Sequence, residues 1–208
     1  MEFETRRAAG QLLAKKLHDY AGNDTVVVGL TRGGIVVGHE IARILRLPFD
    51  AMVVQKIAEP QETHVHVGSV AEPGHLAVSR RRLRALGLEP GWLEEAVARG
   101  VEEVGRRSAA YRGGRPRQQL AERRVILVDD AIGTGTTLRA AVKAVLAMGA
   151  REIIVAVPVA PASACAALQR RANRVVCLAT PAELIAQGLH YPLGGEVSDD
   201  DISNLLGR

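Results

Sequence analysis

Residues 125–137 of this chain read VILVDDAIGTGTT, in which two adjacent acids are followed by glycines and threonines. Residue types and spacing here imply a definite chemistry. The apolar stretch ahead of Asp129 and Asp130 reads as a buried strand, so the acids fall at its carboxyl end. Gly133 and Gly135 let the backbone turn tightly, so that the amides of residues 133–137 converge on one anion. Thr134, Thr136 and Thr137 add hydroxyl donors, and the start of a following helix favours negative charge. Asp129 and Asp130 are acceptors suited to sugar hydroxyls, with Ala131 and Ile132 joining the two halves. A ribose 5-phosphate satisfies both halves. A P-loop would need a lysine after the second glycine, and a dinucleotide fingerprint would need a third glycine near Leu138. The plain alternative is a capped helix after a buried strand, with the acids in a solvated turn. That alternative leaves paired acids beside an anion nest without a role.

A second anion loop is expected at TRGG, residues 31–34, directly after the apolar run TVVVGL. Thr31 and Arg32 offer donors, the guanidinium forks onto phosphate oxygens, and Gly33 and Gly34 admit close backbone approach. A plain strand-to-helix turn is the competing reading. Lys56 is one of four lysines, with Lys15, Lys16 and Lys143, and the only one in the middle of the chain. It is a candidate for supplying charge to the same ligand, against the ordinary fate of a surface lysine.

These loops need a frame. Strand patterns are expected at 25–30, 50–57, 64–71 with a hairpin partner at 75–78, 124–128, 151–160 and 174–179. Helical spacing is expected at 5–19, 35–45, 135–149 and 162–172, and residues 80–118 are arginine-rich and mostly helical in pattern. This alternation predicts an α/β fold, a doubly wound and mainly parallel sheet in which ligands bind beyond the carboxyl ends of the strands. Both anion loops fall at that edge. One domain spanning 1–208 is expected, with its core at about 20–179.

Composition narrows the partners. The chain has 208 residues, 47% of them hydrophobic and 24% charged, as in an ordinary globular protein. No apolar run approaches a membrane span, so a cytoplasmic location and no membrane partner are expected. Cys165 and Cys177 lack metal-ligand spacing and are expected as a buried reduced pair. The net charge of +4 admits an anionic ligand or a nucleic acid without requiring either.

The segment VILVDDAIGTGTT closely resembles the signature of the type I phosphoribosyltransferases. That resemblance implies that Asp129 and Asp130 hold the ribose hydroxyls of phosphoribosyl pyrophosphate, and that residues 131–137 bind its 5-phosphate. It also implies that Thr31, Arg32, Gly33 and Gly34 bind the pyrophosphate and that Lys56 adds charge to it. Beyond these motifs, DAMVVQKIAEP, VGSVAE, YRGGRP and EVSDDDISNLL resemble a bacterial subgroup of the family whose acceptor is unassigned. The chain departs from that subgroup at HVHVG, where a glutamate is expected near His64, and at HYPLGG, residues 190–195, where an aromatic cluster is expected.

The implied reaction displaces pyrophosphate from ribose C1 by a nitrogen nucleophile. Mg²⁺ is the implied cofactor, carried by the substrate's phosphates, with Asp129 and Asp130 as the carboxylates within reach. Arg32, Lys56, Asp129 and Asp130 are the expected catalytic group. A hood is expected from residues 180–208 together with the N-terminal helix, with His190 and Tyr191 placed to contact a base. The arginines of 80–118 are expected to supply a mobile loop, with Arg80, Arg81, Arg82, Arg112 and Arg115 as its candidates. Relatives that use 6-oxopurines carry an aspartate where this chain has Gly133, so a hypoxanthine–guanine activity is not expected unless another acid substitutes. The expected partners are phosphoribosyl pyrophosphate and a small nitrogenous base, with a homo-oligomer compatible and nucleic acid not expected. The competing reading is a regulator that senses phosphoribosyl pyrophosphate or a nucleotide on the same fold and binds RNA or DNA. A third is a subunit whose nucleotide site signals assembly.

Overall fold

The computed structural model describes residues 3–22, 24–30, 32–59, 65–133, 135–181 and 191–207. A five-stranded parallel sheet is formed by β1 (Thr25–Leu30), β2 (Phe49–Met52), β6 (Arg124–Val128), β7 (Glu152–Val159) and β8 (Arg174–Ala179), in the order β2-β1-β6-β7-β8. Every residue of β1 is buried, as expected for a central parallel strand covered on both faces.

Alternate residues of these strands go to opposite faces. Val26, Val28, Leu127 and Val155 pack against Leu138, Ala141 and Val145 of α5 (Thr136–Ala147) and Leu168 of α6 (Ala162–Gln169). Val27, Ile126, Val128 and Ile154 pack against Leu13 of α1 (Arg6–Lys16) and Val37 and Ile41 of α2 (Gly33–Leu45). Each fully buried aliphatic side chain contributes about 1.5–3 kcal/mol relative to exposure, so both faces lock the sheet. The chain leaves β1 toward β2 on one side, while β6 pairs with β1 on the other. That reversal brings the β1–α2 and β6–α5 loops together at the carboxyl edge.

The expected single strand at 50–57 is two strands. β2 stays in the main sheet, and β3 (Val54–Ala58) begins an antiparallel sheet with β4 (His66–Ala71) and β5 (His75–Val78). The break has a cause: Glu72 donates its backbone amide to the Val53 carbonyl (3.0 Å) and accepts the Val53 amide on its carboxylate (3.2 Å). Both backbone groups that would continue the main-sheet ladder are thereby taken. The second sheet packs on α5 and on α4 (Pro90–Arg112).

The arginine-rich stretch is not a loop over its first part. It forms α3 (Arg80–Ala85) and α4, and its side chains serve buried acids. Arg112 pairs with Glu72 (2.6 Å) and Asp50 (3.3 Å), Arg117 also pairs with Glu72, and Arg115 donates to the Arg112 carbonyl (3.0 Å). Among the named candidates Arg80 and Arg81 are exposed, and Arg82 donates to the His66 carbonyl (2.7 Å). The final helix, α7 (Asp199–Leu206), starts with a capping box between Ser198 and Asp201 and packs on α2 and α4. Cys165 is buried and Cys177 half-buried, and burial pushes the Cys177 thiol up to about 11, which keeps it protonated at neutral pH. Among the described residues no helix is long and apolar enough to cross a membrane.

Candidate active site

A cavity of about 330 Å³ opens where the β6–α5 loop faces the second sheet. One wall is Asp129, Ala131, Ile132, Gly133, Gly135, Thr136, Thr137 and Leu138, and the other is Lys56 from β3 and His66 from β4. Gly135 takes φ +72°, a left-handed turn that glycine tolerates without strain, and it leads directly into α5 at Thr136. The amides at the start of α5 carry the positive end of its dipole, which favours negative charge at this wall. Thr136 is buried, and Ser69 of β4 donates its hydroxyl to Thr136 Oγ1 (3.3 Å), tying the two walls together.

The paired acids point to different places. Asp129 lines the cavity and accepts the Asp130 amide on Oδ1 (2.9 Å). Burial, then the adjacent Asp130 carboxylate, hold the Asp129 carboxyl well above the usual range, against the opposing charge of Lys56. Asp130 turns away to Arg6, the first residue of α1, whose Nε lies 2.9 Å from Oδ2. Arg6 also donates to the carbonyls of Gly194 (3.4 Å) and Gly195 (3.0 Å), and its guanidinium stacks 4.9 Å from the Tyr191 ring centroid. Tyr191 donates its hydroxyl to the Asp130 carbonyl (2.5 Å) and stacks on Phe3.

The β1–α2 loop supports the acids from below. A side chain at Gly33 would lie 1.9 Å from Asp130 Oδ2, and one at Gly34 would lie 2.6 Å from the Val128 carbonyl and 2.8 Å from Asp129 Cα. The obstacles to the second are backbone, so Gly34→Ala is expected to cost about 1–3 kcal/mol through overpacking. Urea unfolding measures this, and a change below about 0.5 kcal/mol, the usual scale at an uncrowded site, would show room the contacts deny. Arg32 sits at φ 52° and ψ −87°, a conformation costing a non-glycine residue of order 1–3 kcal/mol, and caps α2. Its guanidinium reaches Asp199 of α7 at 3.6 Å.

The expected residues therefore separate. Lys56, Asp129, Ala131, Ile132, Gly133, Gly135, Thr136 and Thr137 meet around the cavity. Gly33 and Gly34 lie against the acids, while Arg32, Asp130 and Tyr191 stand outside the lining, held by Asp199, Arg6 and Phe3. Tyr191 is 1% exposed, which corrects the expectation of a ring open to a base: Phe3 and Arg6 already occupy its faces. Thr31, Thr134, His64 and His190 lie outside the described residues.

Three residues of the site were not among the candidates the sequence offers. Arg6 meets Asp130 across 124 positions, and no local pattern marks such a pair. Ser69 and His66 stand on opposite faces of a regularly alternating strand. A register shift between Ile57 and Ala58 brings them to one side.

The described residues hold no group of three His, Cys, Asp or Glu side chains able to take a metal ion. Asp129, in the cavity lining, is an oxygen donor of the kind a hard cation such as Mg²⁺ takes together with substrate oxygens and water.

Comparison with known proteins places this geometry. The phosphoribosyl transferase domain is matched over residues 3–193. Rv0571c of Mycobacterium tuberculosis, whose name assigns it provisionally to the phosphoribosyl transferases, is 35% identical over 206 residues, covering 99% of this chain and 46% of that protein. The chain thus spans about half the length of the curated relatives it matches, at 46%. The crystal structure of TT1426 from Thermus thermophilus superposes with a TM-score of 0.81 at 38% identity, over 99% of this chain and 98% of that one. A purine phosphoribosyltransferase from Pyrococcus horikoshii shares the fold, with a TM-score of 0.50 at 20% identity over 87% of this chain and 85% of its own.

Proposed function

The chain belongs to the phosphoribosyl transferase family, and on that premise we propose that it moves ribose 5-phosphate from phosphoribosyl pyrophosphate to a nitrogenous base and releases pyrophosphate. The observation that carries this reading is the two-walled cavity. It sets an anion nest at the start of α5 beside one buried acid and faces both with a lysine.

Each wall has a task in this reading. The amides of Gly133 and of residues 135–137, with the hydroxyls of Thr136 and Thr137, hold the 5-phosphate. Asp129 holds a ribose hydroxyl, which a carboxyl group does in either protonation state. Arg6, Gly33 and Tyr191 act one step back by fixing Asp130 and its backbone. Lys56 places positive charge across the cavity from Asp129, where the departing pyrophosphate gathers negative charge. Arg32, at the head of α2, is the second cation for that group once it leaves Asp199. Bound Mg²⁺ would supply charge neutralisation on the diphosphate, with Asp129 as the lining carboxylate able to hold it. The protein's contribution is orientation and fixed charge, together with exclusion of water by the second sheet.

Gly133 is exposed, and a side chain there would meet nothing within 4 Å, so the loop withholds a carboxylate from a position with room for one. The acceptor's proton must be received elsewhere.

The test is calorimetric binding of phosphoribosyl pyrophosphate with Mg²⁺, followed by pyrophosphate release across a panel of bases. Asp129→Ala combined with Thr137→Val is expected to weaken binding by about 10–100-fold, the loss of hydrogen bonds to charged groups at about 1.5–3 kcal/mol. Unchanged affinity in that double variant would remove the site assignment. Binding without release, accompanied by salt-sensitive RNA binding, would replace the transfer reading with the regulatory one.

A further inference from the structure

We infer that His66 is the catalytic base of this cavity, taking the proton from an acceptor whose attacking nitrogen carries one. The inference rests on the transfer reading above and starts from the register of the second sheet.

Lys56 pairs with Ser69 and Ile57 with Gly68, as regular antiparallel partners on alternating faces. Simple alternation would next pair Ala58 with Val67 and turn His66 to the α4 side. The sheet instead pairs Ala58 with His66, leaving Val67 as the extra residue of a bulge. Bulges re-aim side chains and occur preferentially beside active sites. Here the consequence is specific. Val67 joins Ile57 and Val70 in the apolar cluster toward α4 and is fully buried. His66 comes to the side of Lys56 and Ser69 and lines the cavity opposite the loop. Arg82 of α3 fixes the bulged backbone by donating to the His66 carbonyl (2.7 Å). The bulge thus puts a valine in the apolar cluster and an imidazole on the cavity side.

The other lining groups do not suit the task. Thr136, Thr137 and the glycines have no basic atom, and Lys56 serves as a cation. Asp129 is committed to the ribose in the transfer reading and already accepts the Asp130 amide on Oδ1. Among the described lining side chains, an imidazole is the one whose ordinary pKa, about 6.5, lies near neutrality. Among the described residues the charged groups around it include Lys56 from β3, Asp129 at the end of β6, Arg82 from α3 and Glu59, whose amide bonds the carbonyl of Val65 next to His66. From α5, Lys143 is engaged with the Leu76 carbonyl of β5 (3.0 Å), and from α4, Arg99, Glu103 and Arg107 face the far side of β3.

The step balances without a further reactant. The acceptor nitrogen's lone pair forms the bond to ribose C1 as the C1–oxygen bond breaks, and that electron pair leaves on pyrophosphate. The proton on the attacking nitrogen passes to the unprotonated ring nitrogen of His66 and then to water. The implied acceptor class is an amine or azole N–H nucleophile. Water attacks in the same way and loses a proton to the same nitrogen.

Wild type and His66→Gln are compared in two measurements with phosphoribosyl pyrophosphate and Mg²⁺. One is affinity by calorimetry. The other is pyrophosphate release from pH 5 to 9 with adenine, guanine, hypoxanthine, xanthine, uracil, orotate or water alone, using the fastest. The expected result is affinity within about threefold of wild type, with release reduced about 100-fold or more, the usual scale of general base catalysis. The rise of rate with pH seen in wild type is expected to vanish in the variant, and free imidazole is expected to restore part of the rate to His66→Ala. A variant that keeps the rate within about threefold, or keeps the same pH limb, overturns the assignment. Equal loss of affinity and rate also overturns it, since His66 would then hold the sugar phosphate. Failure of wild type to bind phosphoribosyl pyrophosphate would sink the transfer reading itself. Binding without release under any condition would sink the proton transfer and leave the sugar-phosphate site standing.

Discussion

Glu72→Ala is expected to cost about 3–5 kcal/mol of folding free energy, the scale for removing one partner of a buried ion pair. The Glu72 side chain is 2% exposed and collects the Val53 amide, the Ser108 hydroxyl and the guanidinium groups of Arg112 and Arg117. With Asp50 beside Arg112, the cluster holds two acids and two arginines, and its charges cancel. Alanine would leave Arg112, 11% exposed, with Asp50 alone, and would strand the Val53 amide. The effect reaches the cavity because that amide marks where the chain leaves the main sheet to build the wall of Lys56 and His66. Urea unfolding by circular dichroism gives the number. Glu72→Gln should lose less, since its carbonyl oxygen can still accept the Val53 amide. A loss below about 1 kcal/mol for the alanine variant, the range of an exposed pair, would show that the cluster is wetter than its burial implies.

Asp129→Asn is expected to separate stability from activity. The folded state holds the Asp129 proton to higher pH than the unfolded chain does, because burial and Asp130 raise its pKa. Between the two values the folded state binds more protons, so the stability it contributes falls as pH rises. Asparagine has nothing to titrate and still offers an oxygen to the Asp130 amide. Its melting temperature should match wild type near pH 4 and exceed it by about 2–4 °C at pH 8, the shift produced by 1 kcal/mol in a domain of this size. Pyrophosphate release should fall about 100-fold, equivalent to about 2.7 kcal/mol of barrier. A variant less stable at every pH would contradict the electrostatics, and one with full turnover would remove Asp129 from the site. Activity held at a cost in stability is a recurrent property of buried functional acids.

Much of this was legible along the chain, for reasons local to each segment. A parallel strand covered on both faces must be a continuous apolar run, and TVVVGL and RVILV are such runs. The helices announce themselves by period, and the nest at residues 133–137 by glycines and threonines at the start of one. The strand at 50–57 misled because its pattern continues through Val53, while the break is imposed by Glu72 from the other side of a hairpin.

What the amino-acid sequence determined by itself is therefore the strand and helix order and the two loops at the carboxyl edge. Short-range sterics, hydrophobic period and hydrogen-bonding capacity decide those. Only the tertiary structure decided that Asp129 faces the cavity while Asp130 turns to Arg6, that Tyr191 is a brace, and that His66 faces the Lys56 side of its sheet. The first two depend on charges and rings that meet across most of the chain's length. The last turns on a one-residue slip in register, and such a slip exchanges the faces of every residue beyond it.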